Sequence, residues 1–127
     1  MKPRDKWRDL FIIAEGDYEA FRILANMTGR PLALSAFHAQ QAVEKYFKSV
    51  IGSRGIDYPY THDLVALIEI LENNGFILPF PREQVEKLNP FAVQIRYDLP
   101  PIIPINRKEI EEIVNLVAHW CKEQLHD

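Results

Sequence analysis

The 127-residue chain has one cysteine, Cys121, so it can form no internal disulfide and offers no thiolate cluster for a metal. A lone cysteine beside Trp120 reads as core filler, and a reducing cytoplasm is the expected setting. Glycine is sparse, five in the whole chain, and none forms a phosphate-cradling loop. HExxH, GxSxG and zinc-ligand spacings are missing as well. No apolar run approaches the ~20 residues that span a bilayer. The opening MKPRDKWRD leads into no signal-like stretch. Neither metal nor cofactor nor membrane is expected.

What is present is ordinary globular material. The chain is 47% hydrophobic and 26% charged, the size of one domain over 1–127. Fifteen Lys and Arg stand against 18 Asp and Glu, a net charge of −3. That balance argues against a surface that clings everywhere to nucleic acid, while leaving room for a local basic patch.

The organising stretch is AFHAQQAVEKYFKSVI, residues 36–51. At 100° per residue, Ala36, Phe37, Ala39, Ala42, Val43, Tyr46, Phe47, Val50 and Ile51 sweep an arc of roughly 220°. A surface helix shows about half that, so this helix is surrounded by others. Gln40 and Glu44 lie inside the arc one turn apart, a polar pair in the core. A buried carboxylate needs a partner, and Arg96 is the natural candidate from elsewhere in the chain. His38, Gln41, Lys45 and Lys48 form the remaining ridge, read either as a solvated face or as a surface that meets phosphates or an acidic partner.

Four or five helices follow from the periodicity. The first runs from Arg4 to about Thr28, with Gly29 as its stop and Pro31 opening the second. SRGIDYPY is a loop; Thr61 is then the expected N-cap of a third helix that closes at Asn73-Asn74-Gly75. Pro81 and Glu83 start a fourth stretch carrying Val85, Leu88, Ala92 and Ile95, with a break at Asn89-Pro90. DLPPIIP, from Asp98, reads as an ordered apolar crossover, and Asn106 with Glu109 as an approximate capping box for the last helix. The fold class is all-α, an antiparallel up-down bundle of four to five helices.

Two further groups carry polar chemistry. His62 in Thr61-His62-Asp63 reads either as cap geometry at a helix start or as a functional imidazole. Gln94, Arg96, Tyr97 and Asp98 stand where a helix runs out into the crossover. An arginine there would be either a core ion pair or a phosphate-binding cation.

HAQQAVEKYFKSVI, THDLVALIEIL and LNPFAVQIRYDLP, in that order, resemble the HEPN domain family over nearly the whole chain, from about Trp7 to Leu125. The resemblance implies a small helical bundle, commonly a homodimer, often encoded with a minimal nucleotidyltransferase in a two-component, toxin–antitoxin-like pair. Many such domains are metal-independent RNases, with an arginine followed four to six residues later by a histidine. Arg96 stands at the motif arginine, but Tyr97 to Ile103 include no histidine. Arg30 to His38 and Arg54 to His62 each have seven residues between them, too many for the motif. The expectation is a non-catalytic or weakly active partner that binds nucleotide or RNA near Arg96, Tyr97, Asp98 and the ridge. The alternatives are an RNase toxin with a non-standard set such as Arg96, Tyr97 and His62, or a simple nucleotide-binding module.

Overall fold

A computed structural model describes residues 3–27, 29, 31–92 and 105–125. Among them are α1 (Pro3–Ala25), α2 (Leu32–Ser53), α3 (Leu64–Asn73), α4 (Arg82–Glu86), a 3-10 turn (Asn89–Ala92) and α5 (Arg107–Leu125). No strand occurs among the described residues. Ile95 and the crossover from Asp98 to Pro104 lie outside them.

The wide apolar arc of α2 places that helix at the centre, packed against α1, α3, α5 and the 3-10 turn. Ala36, Ala39, Ala42, Val43, Tyr46, Phe47, Val50 and Ile51 are all buried along it. Each large side chain among these contributes about 1.5–3 kcal/mol on leaving water. α1 and α2 form an antiparallel hairpin. Trp7 meets Gly52 at one end, Phe11 and Tyr18 lie against Tyr46 in the middle, and Asp17 meets His38 towards the turn. α5 is antiparallel to α1, with Tyr18 donating to Asn115 and Lys122 paired to Glu15 at 3.5 Å. It lies alongside α2, where Trp120 packs edge-on against Phe47 and Cys121 meets Ser49 at 3.4 Å. Phe80 and Phe76 complete the aromatic cluster around Trp120.

The helix ends follow local chemistry. Gly29 and Gly75 take positive φ (82° and 90°) just beyond α1 and α3, a conformation that costs glycine little. Pro31 is the N-cap of α2, one position before the helix proper. Asn106 and Glu109 do form the reciprocal box: the Glu109 amide donates to Asn106 Oδ1 (2.8 Å) and the Asn106 amide to Glu109 Oε1 (3.1 Å). Asn89-Pro90 does divide the fourth stretch, between α4 and the 3-10 turn. The start of α3 differs from expectation. Asp63, not Thr61, is the N-cap, accepting from the Val65 amide at 3.0 Å. Thr61 acts one step earlier, its hydroxyl accepting from the Asp63 amide at 3.0 Å. Asp63 stands directly before the first turn, and its carboxylate reaches the free Val65 amide that Thr61, two residues earlier, cannot. Asn89 clamps the same end, accepting from the Leu64 amide and donating to Asp63, both at 2.9 Å.

Candidate functional site

Glu44 sits at the middle of α2, almost wholly buried. Its two oxygens are taken up by three side chains. Lys48, one turn on, donates to Oε2 at 2.9 Å; His62 Nδ1 is 2.9 Å from Oε1; Gln40 Nε2 donates to Oε1 at 3.2 Å. Burial alone would push this carboxyl up. The bonds from Lys48, His62 and Gln40, with the charge of Lys48, outweigh it and hold Glu44 below its ordinary value. Gln40 also donates to the His62 carbonyl at 3.2 Å, which ties the approach to α3 to the central helix.

These contacts correct the reading of the ridge. Lys48 is buried and spent on Glu44, so it belongs to the polar core and not to a solvated face. The i to i+4 spacing brings its flexible stem back over the preceding turn. Its ammonium also lies 5.8 Å from each of the rings of Tyr58 and Tyr60. Tyr58 is held above its usual range by burial and by the Glu44 charge. The rest of the ridge is half-buried and engaged. Lys45 donates to Gln41, Gln41 donates to Gln40 at 2.6 Å, and Lys45 also pairs with Asp17 at 3.5 Å. His38 Nδ1 meets the other Asp17 oxygen at 3.0 Å. A continuous polar chain therefore runs His38–Asp17–Lys45–Gln41–Gln40–Glu44–His62 across α2. Asp17 and the two tyrosines were not among the residues singled out from sequence. The i, i+4 pair Gln40–Glu44 inside the apolar arc was the legible signal for this network.

Arg96, Tyr97 and Asp98, proposed from sequence as binding residues, lie outside the described residues, and so does the suggested Arg96 partnership with Glu44. No cluster of three or more His, Cys, Asp or Glu side chains able to hold a metal occurs among the described residues. No helix there is long and apolar enough to cross a membrane.

His62 is the member with chemical reach. Its side chain is half-exposed, and Tyr60 stands edge-on 5.5 Å away. With Glu44 ionised, neutral His62 satisfies the 2.9 Å contact only by placing its proton on Nδ1. Nε2 then carries the lone pair, and no described residue bonds it. A buried carboxylate thus orients a half-exposed imidazole.

A family model for the HEPN domain matches residues 7–123. The chain belongs to the HEPN domain family. No curated protein and no solved structure matches the chain. In this HEPN domain the described polar network is assembled from α1, α2 and the residues just before α3, and the segment holding Arg96 stands apart in sequence from all of them.

Proposed function

We propose that this HEPN domain is the non-catalytic or weakly active partner of a minimal nucleotidyltransferase, in a toxin–antitoxin-like cytoplasmic pair, and that it works as a homodimer. The supporting observation is the pairing of its own charges. Lys48 is committed to Glu44, and Lys45 and His38 share Asp17, so the ridge that would meet phosphate is neutralised within the chain. Nucleotide or RNA binding then falls to the Arg96–Tyr97–Asp98 segment. The test is co-expression with a nucleotidyltransferase encoded beside it. Co-elution as a stable complex is expected. A chain that ignores that subunit at micromolar concentration overturns the reading. Calorimetry with ATP and GTP is expected to show only weak binding by the isolated chain, lost in Arg96→Ala; tight binding would favour the nucleotide-binding module instead.

A second reading has one specific observation in its favour, the orientation of His62 by Glu44. An imidazole with a free accepting nitrogen can take the proton of a ribose 2′-hydroxyl, the first step of metal-independent RNA cleavage. Growth arrest and RNA cleavage that His62→Gln abolishes, with the fold intact, would select it. Their absence in the wild type removes it.

A further inference from the structure

The core stripe of α1 leaves the opposite side of the helix to solvent, and three isoleucines stand out on that side. Ile12, Ile13 and Ile23 are 66%, 48% and 57% exposed. Isolated exposed apolar residues are ordinary, but these share one side of one helix. Ile13, Gly16, Ala20 and Ile23 succeed one another at steps of three, four and three, the spacing of a helix–helix seam. A Cβ built at Gly16 would meet nothing within 4 Å, so the centre of the seam is open to a close neighbour.

The order of sizes indicates the occupant. Large, small, small, large reads the same in both directions about residue 18. A second α1, antiparallel and turned about a two-fold axis there, sets Ile13 against the partner's Ile23 and Gly16 against the partner's Ala20. An isologous contact requires this self-complementarity, and an unrelated partner does not. We propose that the outer face of α1 is where two copies of this chain associate, antiparallel about an axis near residue 18. The proposal rests on the homodimer in the reading above and names its face. Glu19, exposed on the border of the seam, then stands close to its own copy across the axis, a like-charge contact that weakens the pair.

Sedimentation equilibrium of the full chain over the micromolar range tests it. The wild type is expected to dimerise. Gly16→Gln places a long side chain at the axis without touching the protomer's own packing, and glutamine favours helix over glycine. Its thermal melt is therefore retained or raised while the dimer Kd rises about tenfold or more. Ile13→Glu combined with Ile23→Glu does the same through the flanks. Glu19→Gln removes the repulsion and tightens association, a gain that damage to the fold cannot imitate. A wild-type monomer at high micromolar concentration overturns both this proposal and the homodimer, while co-elution with a nucleotidyltransferase is judged separately. A dimer indifferent to Gly16→Gln overturns the face and leaves the homodimer standing. Association unchanged or weakened by Glu19→Gln overturns the antiparallel arrangement. A Gly16→Gln chain that still dimerises but loses the nucleotidyltransferase overturns the proposal by giving the face to that subunit.

Discussion

Glu44 and Lys48 are each costly to bury and each tolerable because of the other. Glu44→Ala leaves the Lys48 ammonium buried without its counter-charge and is expected to cost about 3–5 kcal/mol, read from denaturant midpoints. Removing both, as Glu44→Leu with Lys48→Met, should restore most of that loss, because an apolar pair of similar volume needs no compensation. The pair also sets an acid limit. The folded state holds Glu44 below its ordinary value of 4.5, so it binds fewer protons there than the unfolded chain. The stabilisation is complete above that value and drains away as pH falls through the depressed one. Glu44→Gln should flatten the fall in stability as pH drops below the ordinary carboxyl value of 4.5, measured by urea titration at a series of pH values. The need for a partner was visible in the sequence, because a carboxylate inside an apolar arc must be neutralised. The choice of Lys48 was not. A lysine at i+4 that lies on the polar side of a helical wheel can still fold its four-carbon stem inward, and a wheel carries no information on where the stem ends.

The helices themselves were legible where one physical cause dominates. Three- and four-residue spacing marked α1, α2, α3 and α5. Asn106 with Glu109 marked the start of α5, since two side chains three apart each answer a free amide. Asn106→Ala removes one half of that box and is expected to cost about 1 kcal/mol, seen as a lowered melting temperature. The start of α3 was less legible because Thr61 and Asp63 are both good caps two residues apart, and only the backbone path decides which serves the first turn. Spacing also could not show how closely α1 and α2 approach. A Cβ at Gly52 would stand 3.1 Å from Trp7 Cβ, an atom tied to the α1 backbone and unable to swing aside. Gly52→Leu should therefore destabilise by about 1–3 kcal/mol, whereas the same change at an exposed helical site would be near neutral or favourable.

Taken together, the packing closes around α2 from α1, α3 and α5, and the polar chain from His38 to His62 crosses that centre without a described charge left unanswered. Cys121 lies at the α2–α5 contact, fully buried against Ser49 and the Tyr46 carbonyl. Burial, assisted by the charge of Glu15 and opposed by the Ser49 hydrogen bond, pushes its thiol up to about 12. Folded protein at pH 8 should resist an excess of a thiol reagent, while protein in denaturant should take up one label per chain at once. Because the chain has no other sulfhydryl, slow labelling in buffer counts a single kind of event, the parting of the bundle at its middle. Reaction rate against reagent concentration would then serve as a clock for how often the domain breathes, read without any engineered probe.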